Sequence, residues 1–298
     1  MTAPILKNLQ VLTQEREVLD EKRLYEISEL SYSVVKDIEA GRVSLHTPYA
    51  FGDAVAHLLR TKEGKSEILE DYTSIFHRAR AFCHYTDIAA FSLFLSERLT
   101  DACFSPFPKV AEKRTSLKIA YVPSAFAEEA YQRIAECMND VTVLYVGNAD
   151  EACAAVAASE ADCALLPVSY GNGERLAAME NLAVRYKTYV TASVKASLGE
   201  GKEALWALFS LSSSPIFQTE RRCLSLQITT NSYADVCDLM SFFSVFGFSV
   251  SSYSSFPLEY GSISTRVVLN GKGDDRALWF FLALLARDFT LLGSYFEL

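Results

Sequence analysis

The sequence predicts a multidomain protein, part all-α and part α/β, in three consecutive segments. Three observations lead to this. Residues 1–105 carry apolar side chains at spacings of three and four. From Leu117 short apolar runs alternate with amphipathic ones. From residue 222 to the end the runs fall in the order strand, helix, strand, strand, helix, strand.

The first segment reads as a helical domain. Ile5, Leu9, Leu12, Leu19, Ile27, Leu30, Val34 and Ile38 recur at helical spacing with slips, and Gly41 is a natural stop. Thr47-Pro48 is an N-cap followed by proline at the first helical position, opening a short helix that ends near Gly64. A third helix starts near Ser66, with Ile68, Tyr72, Ile75, Ala79 and Phe82 on one face. A break is expected near Thr86-Asp87, before "IAAFSLFLSERL". The pattern is long, short, long. "CFSPFPKVAEKRTS", residues 103–116, has two prolines and no period, and reads as a linker.

Residues 117–213 read as an α/β lobe. "LKIAYV", "VTVLYV" and "DCALLPV" are strands, and "AFAEEAYQRIAECM", "DEACAAVAASE" and "GERLAAMENL" are helices. Such alternation with short loops predicts a mostly parallel sheet. "AVRYKTYVTASVKASL" alternates as an extended strand, and "ALWALFSLSSSP" closes the unit as a buried strand that stops at Pro215. In residues 222–298 the βαββαβ order is that of the ferredoxin-like split unit, a scaffold often used to sense small molecules.

Charge and composition narrow the function. The net charge of −9 argues against nucleic acid, which needs clustered Lys and Arg. No apolar run reaches the ~20 residues of a membrane span. The N-terminus turns charged too early for a signal peptide, so a cytoplasmic protein is expected. Seven cysteines without a CxxC pair fit a reducing compartment. Cys83 and His84 are adjacent, and adjacent helical residues point apart, so no metal site is expected; no cofactor motif is present either. "GEGKEA" lacks the phosphate-loop spacing, and "SLSSSP" has no nearby base.

The ending "LLGSYFEL" resembles the ACT domain attached to prephenate dehydratases, whose closing strand reads Leu-Gly-Ser-Tyr-Pro. Leu292, Gly293, Ser294 and Tyr295 match, and Phe296 replaces the proline. "IAYVPSAFAEEA" is similar to the first strand and helix of the dehydratase module. "DEACAAVAASEADCALLPVSYGNG" resembles its later helix, its strand and the loop where that family has Pro-Ile-Glu-Asn-Ser. With helices in front, the layout is like a bifunctional chorismate mutase–prephenate dehydratase. The resemblance covers 117–298; residues 1–105 match in helix pattern and domain order.

The departures from the family are chemical. Ser169, Tyr170 and Gly171 stand where the family has Glu-Asn-Ser, and the Gly-rich turn is shortened to "VPSA". Ala207 and Leu208 replace the Thr and Arg of the Thr-Arg-Phe strand, leaving only Phe209. Dehydrating and decarboxylating prephenate calls for a hydroxyl donor and a guanidinium, and Ala and Leu supply neither. Residues 119–209 leave room for about one small α/β lobe, so the second dehydratase lobe is expected to be missing.

In the ACT-like segment Ala234, Asp235 and Val236 replace the family's Gly-Ala-Leu, and Ser254, Ser255, Phe256 and Pro257 replace Glu-Ser-Arg-Pro. By the resemblance Asp235, Val236, Ser254 and Ser255 are the candidate ligand-binding residues, with Asp235 suited to an ammonium group. The resemblance also implies a mutase set. Helical chorismate mutases hold a dicarboxylate with several cations, and helix one offers Lys7, Arg16, Lys22, Arg23 and Lys36. Gly52-Asp53 stands where the family has an Arg-Glu pair. If the chain is a mutase, the candidates are Arg16, Arg23, Lys36 and Asp53; the other reading is a solvated basic face.

The expected function is that of a non-catalytic relative of prephenate dehydratase, with a binding or regulatory role linked to phenylalanine biosynthesis. The alternatives are an enzyme of that pathway, with chorismate mutase or prephenate dehydratase activity, and a dimerisation scaffold without ligand. The expected partners are a second copy, through the ACT-like segment, and a small carboxylate or amino acid.

Overall fold

The computed structural model describes residues 3–61, 82–99, 104–108, 116–138, 140–170, 176–199, 201–258, 261–286 and 288–298. Helix α1 (Ala3–Glu39) stops just before Gly41, whose φ of 71° is the left-handed conformation that glycine adopts without steric cost. Helix α2 (Pro48–Thr61) is capped by Thr47, whose hydroxyl accepts from the Ala50 N–H at 3.1 Å. Helix α3 (Phe82–Arg98) runs unbroken through Thr86 and Asp87, where the sequence suggested a break. Asp87 is buried against Arg23 of α1, so this polar residue makes a helix-to-helix ion pair and does not end a helix. The helix expected from Ser66 lies outside the described residues as far as position 81.

Strand β1 (Ser116–Tyr121), helix α4 (Ala125–Glu136), strand β2 (Asp140–Tyr145), helix α5 (Ala149–Ala157) and strand β3 (Cys163–Tyr170) alternate as expected. Ser124 and Asn148 cap the two helices through the N–H groups of Ala127 and Glu151. β1 lies between β2 and β3 and is parallel to both. The helices take opposite faces. Ala127, Ala130 and Ile134 of α4 pack on Leu117, Ile119, Tyr121 and Leu165. Ala152, Cys153 and Val156 of α5 pack on Ala120, Ala164 and Leu166.

The rest of this lobe is antiparallel, so the sheet is mixed: parallel through β2, β1 and β3 as expected, antiparallel beyond them. Helix α6 (Ala177–Arg185) takes up the "AVR" read as strand, and β4 (Tyr189–Ser197) begins after it. β5 (Glu203–Ser210) returns antiparallel between β4 and β3. The reason is local. Leu198 and Lys202 close a tight turn, with Gly199 and Gly201 at φ of 77° and 75°, and a hairpin leaves no length for a crossover.

Strand β6 (Arg222–Thr230), helix α7 (Tyr233–Phe242), a 3₁₀ turn (Phe243–Phe246), strand β7 (Ser249–Pro257), strand β8 (Ile263–Asn270), helix α8 (Asp275–Leu285) and strand β9 (Asp288–Phe296) complete the chain. Their strand order is β9-β6-β8-β7, antiparallel throughout. β9 also pairs parallel with β4 at Gly293 and Val190, so one nine-stranded sheet runs β2-β1-β3-β5-β4-β9-β6-β8-β7.

Trp279, Phe280 and Phe281 are consecutive on α8, and all three are buried. One flank of α8 meets Leu224, Leu226, Val267 and Leu269 of the sheet; the other meets the N-terminal helices in the same core. Phe51 of α2 contacts Trp279 and Phe280 at ring-centre distances of 5.5 and 5.0 Å. Ser96 of α3 donates to Asp274, the residue that caps α8. The second apolar flank of α8 is thus covered by this chain's own helices. Among the described residues no helix is long and apolar enough to cross a membrane.

Candidate functional site

In open α/β sheets ligands sit outside the carboxyl ends of strands, where neighbouring connections diverge. Here that place is the crevice between β1 and β3, since β1 leads to α4 on one face and β3 to α6 on the other. Tyr121, Tyr145 and Tyr170 end β1, β2 and β3. Tyr121 is fully buried, stacks on Tyr131 at 5.7 Å and meets the edge of Tyr145 at 5.4 Å. Its hydroxyl donates to Glu128 at 3.0 Å. Burial above all, then the hydrogen bonds with Tyr145 and Glu128, push this phenol far above its ordinary value. It stays protonated and acts as a donor, neither a base nor a nucleophile.

A bulge between Pro167 and Ser169 turns the end of β3, where Ser169 is half-buried and Tyr170 exposed. On the neighbouring strand Ala207, Leu208 and Phe209 are each 1% exposed. They pair with Leu166, Leu165 and Ala164 on one side and with Ser193, Ala192 and Val190 on the other. Leu208 belongs to the core under α4, and Ala207 and Phe209 to the core under α5. This stretch is packed on both faces and brings no polar side chain to the crevice. Among the described residues, 116–210 form one unit of five strands and three helices.

The residues proposed for a mutase lie on α1 and α2. Arg23 is half-buried and ion-paired with Asp87. Lys36 is exposed, its ammonium 4.2 Å from the centre of the Tyr32 ring. Asp53 is exposed on α2. Arg16 lies on α1, with its side chain outside the described residues. Arg98, which sequence reasoning passed over, reaches Ser28 at 2.7 Å and also Ser31, pinning α3 to α1.

In the C-terminal unit Asp235 is in the first turn of α7, and Val236 points into its core. Ser254 and Ser255 lie on β7 opposite Arg266 and Thr265. Ser255 shares a hydrogen bond of 2.8 Å with Thr265, and Thr265 and Val236 line one cavity of about 10 Å³. Of the candidate ligand residues Val236 lines this small apolar space, and Ser255 reaches it only through its hydrogen bond to Thr265. The space is no larger than a single water needs.

Within this unit Arg266 sits at the centre of β8 and is buried. Its Nη1 donates to Glu180 at 3.1 Å, its Nη2 to Asn181 at 2.7 Å and its Nε to Gln227 at 3.2 Å. Its guanidinium also lies 5.3 Å from the centre of the Phe256 ring. Both members of the Arg266–Glu180 pair are buried. The signal in the sequence was a lone arginine inside "SISTRVVLNG", an otherwise uncharged strand. Among the described residues no group of His, Cys, Asp and Glu is arranged to hold a metal ion.

No protein-family model matches the chain, and no curated protein matches it. Solved structures do. Prephenate dehydratase from Streptococcus mutans is 17% identical, with 61% of this chain and 98% of that one covered at a TM-score of 0.49. GqqA, described as a novel type of quorum quenching acylase, is 15% identical, with 60% and 94% covered at 0.48. Prephenate dehydratase from Arthrobacter aurescens, in complex with L-Phe, is 12% identical, with 60% and 89% covered at 0.50. The last of these shows a shared fold: about 60% of the chain is folded like a prephenate dehydratase.

Proposed function

We propose that this chain is a non-catalytic relative of prephenate dehydratase, with a binding or regulatory role connected to phenylalanine biosynthesis. The observation that carries this is the burial of Ala207 and Leu208 in the middle of β5, packed on both faces by apolar residues. A strand of that kind presents no donor or cation to a dicarboxylate. The single α/β unit supports the same reading, because a cleft needs two walls. The C-terminal unit is read as an ACT domain that takes a small carboxylate or amino acid, and the N-terminal helices as a mutase-like domain without mutase chemistry.

A homodimer through the C-terminal unit completes the proposal. Among the described residues β7 ends the sheet and no strand pairs with its outer side, and Tyr253 on it is 59% exposed. Turnover assays of the purified chain on chorismate and on prephenate test the non-catalytic reading, and light scattering tests the assembly. The expected results are no turnover and the mass of two chains. Robust turnover of either substrate, or a monomer, overturns the corresponding part.

A further inference from the structure

The Arg266 cluster has the features of a ligand site that is already filled. Arg266 sits on β8, which is paired on both sides by β6 and β7, so its position is fixed by two ladders. Two of the three groups that satisfy it, Glu180 and Asn181, come from α6, which belongs to the other lobe. A carboxylate on a guanidinium is the pairing by which a small acid would be recognised.

The occupant rides on a weakly held element. α6 has nine residues, and Leu176 at its start gives no side-chain cap. Just beyond its end Lys187 adopts φ of 54°, a left-handed conformation that costs a non-glycine residue of order 1 kcal/mol. Arg185 and Tyr186 bond to Asp150, but that ion pair is exposed and holds little.

A second observation points to a missing ligand group. Ser264 is two residues before Arg266 on the same strand, and therefore on the same face of the sheet. It is 0% exposed, and among the described residues its hydroxyl has no hydrogen-bond partner. A buried hydroxyl left unpaired is costly. An acid with a further polar atom beside its carboxylate would satisfy it.

We propose that Arg266, with Ser264 and Gln227, is a carboxylate-binding site and that Glu180 fills it from within as an internal pseudo-ligand. A small carboxylate then binds by displacing Glu180 and releasing α6 from the C-terminal sheet, which couples ligand binding to the contact between the lobes. This rests on the reading of the C-terminal unit as one that takes a small carboxylate, and it names the anchor and the competing group.

The probe is sodium 2-hydroxy-3-phenylpropionate, which carries a carboxylate for Arg266 and, beside it, a hydroxyl for Ser264; 2-hydroxy-3-phenylpropionamide is the neutral control. Calorimetry is run on the full chain as wild type, Glu180→Gln and the double variant Glu180→Gln/Arg266→Met. The double variant leaves no buried charge unpaired and so guards against misfolding. The glutamine variant should bind the acid about tenfold more tightly than wild type, because the competing state is depopulated. The double variant should bind neither compound. In wild type the acid should raise deuterium uptake across 177–185. Equal affinity of wild type and Glu180→Gln, binding that survives in the double variant, or equal binding of the amide would overturn the proposal. Turnover of prephenate, by contrast, would overturn the functional reading above and leave these outcomes unaffected.

Discussion

Gly293 of β9 and Val190 of β4 meet so closely that a Cβ on Gly293 would stand 2.4 Å from the Val190 carbonyl oxygen. This contact is where the two halves of the nine-stranded sheet join. The glycine of the closing Leu-Gly-Ser-Tyr stretch is thus required by backbone approach.

Gly293→Ala should therefore destabilise the protein by about 1–3 kcal/mol, since the clash is with backbone and cannot be relieved by a side-chain rotation. Urea unfolding followed by circular dichroism measures this. Hydrogen exchange should also rise at Val190 and its neighbours.

Gly52 is the corresponding contact between helices. A Cβ there would lie 2.8 Å from the Ala283 carbonyl oxygen of α8. Replacing a helical glycine by alanine normally gains about 1 kcal/mol. Here the overlap should win, and Gly52→Ala should lower the urea midpoint. A raised midpoint would show that α2 has room to move off α8.

The buried pair Arg266–Glu180 predicts a non-additive cycle. Arg266→Met alone leaves Glu180 buried without its partner and should cost about 3–5 kcal/mol. Adding Glu180→Gln should recover part of that loss. Single losses that simply add in the double variant would mean that the pair is not coupled.

Burial raises the thiols of Cys153 and Cys223 from the ordinary value of 9 to about 11. For these groups the folded state holds its proton longer than the unfolded one. Their contribution to stability is complete below pH 9 and is lost as pH rises from 9 to about 11. The urea midpoint should fall across that window, and the fall should be shallower in Cys153→Ala/Cys223→Ala. An equally steep fall would refute the assignment. At pH 8 the exposed Cys137 and Cys237 should react with iodoacetamide well before the buried pair.

Much of the architecture was legible because local rules and tertiary packing agree. Thr47-Pro48 opens a helix, Gly41 follows one, and the last six elements fall in the order that their periodicity implied. Where reading failed, a tertiary partner decided. Asp87 resembles a helix breaker until Arg23 arrives from α1. The direction of β5 depends on the turn around Gly199 and Gly201, whose type apolar alternation does not encode. The triplet Trp279-Phe280-Phe281 gives α8 two apolar flanks, but the cover of the second, α2 and α3, is remote in sequence. The candidate site was less legible. Ala207 and Leu208 could be named as departures from a motif, while Arg266 and Glu180 lie 86 positions apart and belong to no pattern.

We propose that β5, buried on both faces, carries no chemistry. The most direct test is the formation of phenylpyruvate from prephenate by the purified full-length chain at neutral pH, where spontaneous conversion is slow enough to subtract. The account predicts no rate above the buffer blank. Phenylpyruvate that forms in proportion to protein, survives further purification and disappears when residues of the crevice between β1 and β3 are replaced would contradict it.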